Sequence, residues 1–198
     1  RFELVYQRYS LNNYAGLYLA RSLGLPFVAE YNGSEVWVGK HWGRGLKYPS
    51  LAERIELANL TNADLVVVVS DAMRNELLER GVAEEKILVN PNGYDDSAFK
   101  PELDGSSIRK KLNITRPIVV GFIGTFGPWH GAEVLAQAAV TILSRRSDIH
   151  FVFIGEGSRK PQAERIIADG NAGDAVTFTG LIPQSEAPLY LAACDILV

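Results

Sequence analysis

Four glycines, Gly121, Gly124, Gly127 and Gly131, punctuate the stretch IVVGFIGTFGPWHG from Ile118 to Gly131, and a helical pattern, AEVLAQAAVTIL, follows at once. Glycine lets a backbone turn sharply and come close to a ligand. The start of a helix then aims unpaired N–H groups and a partial positive charge at whatever sits there. The combination is a ready anion site, with phosphate its commonest occupant, although many α/β proteins use such glycines only to pack strand against helix. Two sharper readings fail on spacing. A Walker loop needs Gly-Lys followed by Ser or Thr, where this chain has Gly131, Ala132 and Glu133. The dinucleotide fingerprint is G-x-G-x-x-G, whereas Gly121, Gly124 and Gly127 fall at every third position, which disfavours a nicotinamide cofactor.

Other residues offer chemistry with more than one meaning. Gly155, Glu156, Gly157 and Ser158 form a second glycine turn beside Arg159 and Lys160. It reads as a companion anion or ribose site, or equally as an ordinary bend with solvated charges. Glu30, Tyr31, Asn32 and Gly33 close the strand-like PFVAEY, where open α/β sheets place ligand groups; Glu30 could accept hydrogen bonds from a sugar, act as a base, or satisfy loop N–H groups. Trp37 and Trp42 could stack on a sugar or enter a membrane interface, but cover for a sheet edge is the safer reading. His41 has no neighbouring metal-ligand spacing and is taken as a surface histidine. Cys194, in the apolar context LAACDILV, reads as core packing rather than as a nucleophile.

The elements that must position these residues alternate. Phe2 to Tyr6, Pro26 to Tyr31, the run LVVVVS after Asp64, and Ile87 to Val89 read as strands. Helical patterns span Asn13 to Leu23, Ser50 to Ala63 and the segment capped by Ser70 or Asp71 and ended by Gly81. Glu35 to Tyr48, rich in Gly and Trp, reads as a loop. Tyr94 to Ser107 is polar and aperiodic, the best linker. Beyond it come a short basic helix (Ser107 to Leu112), the opening strand and helix, a strand at His150 to Gly155 with a helix after it, a strand at Val176 to Gly180, a helix over Ser185 to Ala193 and a last strand from Asp195. The economical architecture is α/β: two Rossmann-like parallel-sheet units, each truncated, facing each other across a cleft.

Composition narrows the class. The chain has 198 residues, 47% of them hydrophobic, a formal net charge of −3 and a single cysteine. Mixed charges argue against a nucleic-acid footprint, and no apolar run approaches a membrane span. One cysteine points to a reducing compartment. The chain opens without Met in FELVYQRY and stops inside DILV, so the reading expects the middle of a longer protein.

Taken together, Pro91-Asn-Gly-Tyr-Asp95 with Phe99 and Pro101, Gly124 and Gly131 in the strand-to-helix turn, Ile154-Gly-Glu-Gly157, Phe178-Thr-Gly180 and Tyr190-Leu-Ala-Ala-Cys-Asp195 resemble the retaining glycosyltransferases of family 4, of the GT-B fold. The resemblance extends over nearly the whole chain. It implies an acceptor-side domain over residues 1–101, a linker and short helix over 102–116, and a donor nucleotide-binding domain over 117–198. It implies transfer of a sugar from a nucleotide-diphosphate sugar, with retention, to a glycan, lipid or small-molecule acceptor. Donor binding would fall to Gly124, Thr125, Phe126, His130, Gly131, Gly155, Gly157 and Arg159, with Leu181 and Ile182 flanking the base and Glu30 and Asn32 on the acceptor side. No metal or cofactor is expected, no nucleic acid, and the location is cytoplasmic with room for peripheral membrane association. Catalytic residues are not assigned, because the family's paired-glutamate segment would lie beyond Val198. Two positions depart from the family: Thr125 and His130 stand where Arg and Lys are common. These departures keep a non-catalytic nucleotide- or glycan-binding GT-B protein as the alternative.

Overall fold

The computed structural model describes residues 1–42 and 45–198, and the chain divides into two compact units, Arg1–Gly93 and Tyr94–Val198. In the first unit the elements run β1 (Val5–Arg8), α1 (Ala15–Leu23), β2 (Phe27–Tyr31), α2 (Glu35–His41), α3 (Pro49–Asn62), β3 (Leu65–Val68), α4 (Asp71–Glu79) and β4 (Ile87–Val89). All three strand pairings are parallel, in the order β1-β2-β3-β4. Strand follows strand in sequence order across this sheet. Phe27, Ala29 and Tyr31 alternate into a core shared with Leu60, Val66, Val68 and Leu77, the period of two that a strand imposes.

The expected loop from Glu35 to Tyr48 is a correction, because its first half is the helix α2. Ser34 caps it, its hydroxyl oxygen accepting from the Trp37 N–H at 3.0 Å, and Lys40 and His41 close its last turn where cations suit the dipole. Val, Trp and Gly are poor helix formers, so propensity hid the helix. Gly39 has a packing reason: a Cβ there would come within 2.6 Å of Leu46. Gly43 and Arg44, in the same expected loop, lie outside the described residues.

In the second unit the elements are α5 (Ser106–Lys111), β5 (Ile118–Ile123), α6 (Ala132–Leu143), β6 (Ile149–Ile154), α7 (Lys160–Asp169), β7 (Val176–Gly180), α8 (Ala187–Ala192) and β8 (Ile196–Leu197). Its sheet is also parallel, in the order β7-β6-β5-β8. Every residue of β6 is buried, as expected of a central strand covered on both faces. Ala132, Ala136 and Ala139 form the buried stripe of α6, and their small side chains let it lie close to its neighbours. The chain before α5 is fastened to this unit: a Cβ on Gly105 would meet the Ala193 backbone at 2.2 Å, and the Arg109 guanidinium donates to the Ala193 carbonyl at 2.8 Å. Two α/β units with four parallel strands each are the architecture expected from the alternating pattern.

Candidate functional site

The order of the second sheet decides where a ligand belongs. From β5 the chain moves outward to β6 and β7, then returns to place β8 on the opposite side of β5. The reversal opens a crevice outside the carboxyl end of β5, the point where open α/β sheets bind ligands. The first sheet has no such reversal among its described strands.

Both glycine turns lie at this end and are laced together. The Gly124 N–H donates to the Ile154 carbonyl at 3.0 Å, the Phe126 N–H to the Glu156 carbonyl at 2.9 Å, and the Arg159 N–H to the Phe126 carbonyl at 2.9 Å. The Gly155 N–H donates to the Gly180 carbonyl at 2.9 Å, which brings the turn before Leu181 and Ile182 into the same group. Gly155 and Gly157 have positive φ, at 129° and 156°. A Cβ on Gly155 would stand 1.9 Å from the Gly124 carbonyl oxygen, and one on Gly157 2.7 Å from the Phe126 backbone. Here the glycines serve close approach of one turn to another. Gly124 differs: a Cβ there would meet only the Phe122 ring, at 3.4 Å.

Gly131 caps α6 in the left-handed conformation, φ 68°, and no side chain caps the helix start. Its first N–H groups and its dipole therefore face the turn. Thr125 and His130 meet above it: His130 Nδ1 lies 2.8 Å from the Thr125 hydroxyl and also contacts the Thr125 carbonyl. A carbonyl can only accept, so Nδ1 carries the proton and Nε2 is left to face outward. The cations nearby are already engaged. Arg159 reaches Glu133 at 3.8 Å and Gln162 at 3.1 Å, and Lys160 pairs with Glu156 and, at 3.8 Å, with Glu164.

Phe126 has to be corrected. Its ring is fully buried against Phe122, Phe153 and Phe178, and both its backbone groups are spent on the lacing, so it builds the turn and has nothing left for a ligand. Leu181 is exposed, while Ile182 packs against the cluster around Val152 and Tyr190. Glu30 and Asn32 sit together in the first unit, the Asn32 amide donating to Glu30 at 2.8 Å and the Tyr6 hydroxyl at 2.9 Å. Those two bonds hold the Glu30 carboxyl below the ordinary carboxylate range, so it is an anion with both oxygens occupied.

Known proteins resemble both units. The Glycosyltransferase Family 4 profile matches residues 1–98 and the Glycosyl transferases group 1 profile residues 104–198. The chain belongs to the GT-B glycosyltransferases of this family 4 and group 1 type. The 2-deoxystreptamine glucosyltransferase of Streptomyces kanamyceticus is 25% identical over 190 residues, covering 93% of this chain and 49% of that protein. The D-inositol 3-phosphate glycosyltransferase of Acidothermus cellulolyticus is 24% identical over 216 residues, covering 46% of its own length. The chain spans about half the length of these relatives. Among solved structures, Anabaena HepE in complex with UDP has a TM-score of 0.76 at 20% identity, over 99% of this chain and 52% of that one. Sucrose-phosphate synthase from Thermosynechococcus elongatus has a TM-score of 0.73 at 21% identity, over 99% and 49%. Such likeness establishes the GT-B fold.

Two parts of this GT-B chain escaped sequence reasoning. Glu133 joins the first turn of α6 with its Oε2 buried and unpartnered among the described residues, a negative charge at a helix start otherwise suited to phosphate. Acidic residues are common in first turns, so only the position of Arg159 reveals its pairing. In the first unit Glu56 is 1% exposed and accepts from Arg80 at 2.7 Å and from Ser34 at 2.9 Å, while Arg80 also donates to the Tyr31 hydroxyl at 2.8 Å. In sequence Glu56 looks like one more charge on the polar side of an amphipathic helix.

Proposed function

We propose that this glycosyltransferase takes a glycosyl unit from a nucleotide-diphosphate sugar and passes it, with retention of configuration, to a glycan, lipid or small-molecule acceptor. The observation that carries the reading is the pair of laced glycine turns and the open start of α6 at the switch point between β5 and β8. Breaking the glycosidic bond puts charge on the departing diphosphate. Fixed N–H groups at a helix start stabilise that charge with no reorganisation at the moment of reaction. The Thr125 hydroxyl would donate a hydrogen bond there, and His130 would do so from Nε2 only as the imidazolium, since Nδ1 holds the proton of the neutral ring, with Arg159 held at the rim by Glu133. Glu133 opposes the diphosphate electrostatically and holds Arg159 in reach, so donor binding would shift Arg159 from carboxylate to phosphate. Leu181, exposed after Gly180, offers an apolar face to the base. HepE is solved with UDP and with UDP-glucose, which supports a uridine nucleotide as the first donor to try. Retention rests on the family 4 resemblance of the motifs.

We propose no resident metal, the helix start taking the role a cation would have, so chelation should leave transfer unchanged. No helix among the described residues is long and apolar enough to cross a membrane. A cytoplasmic location, at a membrane face where the acceptor is a lipid, belongs to the same proposal. The test is calorimetric titration of the protein with a panel of nucleotide sugars: binding of at least one is expected, and binding of none overturns the reading. The engaged state of Arg159 and Lys160, with Thr125 and His130 in place of fixed cations, favours a second reading as a non-catalytic nucleotide-binding protein. Donor binding without transfer or hydrolysis would select it.

A further inference from the structure

The first unit contains a cavity of about 800 Å³ that no part of the donor chemistry uses, within the range of small-molecule sites. Its floor is built from charge. Glu56, almost completely buried, is held by Ser34 and Arg80, and Arg80 is held in turn by the Tyr31 hydroxyl and by Glu76 at 3.4 Å. Such a network is costly to bury and rigid once satisfied, so it fixes the positions of the four elements that carry it: the end of β2, the start of α2, α3 and α4. The wall is aromatic. Trp37 leaves 46% of its surface exposed, yet it is held in place by His41, stacked at 4.2 Å and 24°, and by Trp42, edge-on at 4.6 Å and 86°. The rim carries Lys40, Glu53, Glu76 and His41. His41 Nδ1 faces the Trp37 carbonyl at 2.8 Å and therefore holds its proton there, leaving Nε2 as a hydrogen-bond acceptor when the ring is neutral.

An indole immobilised beside planar carboxylates and an imidazole nitrogen matches one ligand chemistry closely. A pyranose ring presents an apolar C–H face to an aromatic plane and hydroxyl donors around its edge, which carboxylates and a neutral imidazole accept. Three carboxylates line the cavity, Glu53, Glu56 and Glu76, against two fixed cations, Lys40 and Arg80, a balance that disfavours sugar phosphates and uronic acids. We infer that this cavity is a saccharide site, taking a neutral or amino-bearing pyranoside against Trp37, with its hydroxyls on Glu53, Glu76 and His41.

This deepens the transferase reading by naming a substrate class for the first unit, and rests on that reading for the saccharide's role as acceptor. The probes are methyl glycosides and disaccharides of glucose, galactose, mannose and glucosamine, with glucose 6-phosphate and glucuronate as anionic counterparts, titrated calorimetrically. At least one neutral or amino sugar should bind in the millimolar range. Trp37→Ala should weaken that binding about tenfold or more, Trp37→Phe by only a few-fold, since an aromatic plane is kept. Glu76→Gln, at an exposed position, provides a variant whose folding is not in question and should weaken it several-fold. Uridine diphosphate titrated into the same samples reports on the donor site independently. Loss of uridine diphosphate binding in the parent protein counts against the transferase reading and leaves the saccharide result standing. The inference is overturned if no neutral or amino sugar binds, if Trp37→Ala and Glu76→Gln both leave the affinity unchanged, or if the anionic sugars bind best.

Discussion

Replacing Gly155 by alanine asks a backbone at φ 129° to carry a side chain and drives a methyl group to within 1.9 Å of the Gly124 carbonyl oxygen. The conformational strain costs about 1–3 kcal/mol. The clash, with backbone on one side and a buried strand end on the other, adds about 1–3 kcal/mol, as overpacking does. The sum, about 2–6 kcal/mol, is a large part of the roughly 5–15 kcal/mol that holds a domain folded. At about 4–8 °C per kcal/mol for a unit of this size, the melting temperature of the second unit should fall by at least about 8 °C. Gly124→Ala is the matched control, because its methyl meets only the Phe122 ring at 3.4 Å and the residue is not among those with positive φ. It should melt within a few degrees of the parent, yet bind uridine diphosphate at least about tenfold more weakly, a loss of about 1.4 kcal/mol, if the turn receives the diphosphate. Melting followed by circular dichroism and titration with uridine diphosphate read the two effects separately. A Gly155→Ala protein that melts like the parent would refute the lacing of the turns. A Gly124→Ala protein that keeps full nucleotide affinity would remove the turn from the donor site.

Three further outcomes follow from particular contacts. His130→Ala should weaken uridine diphosphate binding several-fold, since the imidazolium is the form that donates from Nε2; an unchanged affinity would take His130 out of the site. Glu56→Ala removes the buried carboxylate from Arg80, which keeps only Tyr31 and the exposed Glu76, and breaking a buried pair costs about 3–5 kcal/mol. With the Arg80 side chain 26% exposed, solvent screens part of that, so the low end is expected in urea denaturation, and a change below about 1 kcal/mol would show the network to be idle. His150, buried in β6 with Nε2 2.8 Å from the Thr177 hydroxyl, is held below its ordinary titration range, first by burial and then by the Arg116 charge. A base depressed in the folded state contributes stability that is present above the unfolded value of about 6.5 and is lost as pH falls through it. Stability should therefore drop as the solution is acidified below that point, and His150→Leu should remove this part of the slope.

The fold was legible wherever a segment had one strong period. Ile87 to Val89 and Ile118 to Ile123 needed nothing beyond their β-branched runs and flanking turns, and the gathering of both glycine turns at one sheet end follows from parallel strands alone. What was hidden depends on distant partners. The α2 helix is fixed by Ser34, whose hydroxyl serves the helix start and the Glu56 carboxylate at once, a tie across 22 residues that no local pattern carries. Phe126 is the reverse case. The family resemblance put it among the donor-binding residues, whereas three aromatic neighbours from β5, β6 and β7 draw its ring into the core. Cys194 was read correctly as packing, its thiol pushed up to about 11 by burial and lying where a Cβ on Gly121 would strike it at 2.3 Å.

The cross-links among the turns after β5, β6 and β7 make them one stiff plate, since the Gly124, Phe126, Gly155 and Arg159 amides are each tied to a neighbouring turn or strand end. If the turns receive the proposed donor, such a plate cannot be remoulded loop by loop to suit another nucleotide sugar. Retuning of donor choice would have to come through side chains that decorate its outer surface, Thr125, His130 and Leu181 above all. Exchanging those three is a more promising route to altered donor preference than transplanting a whole turn.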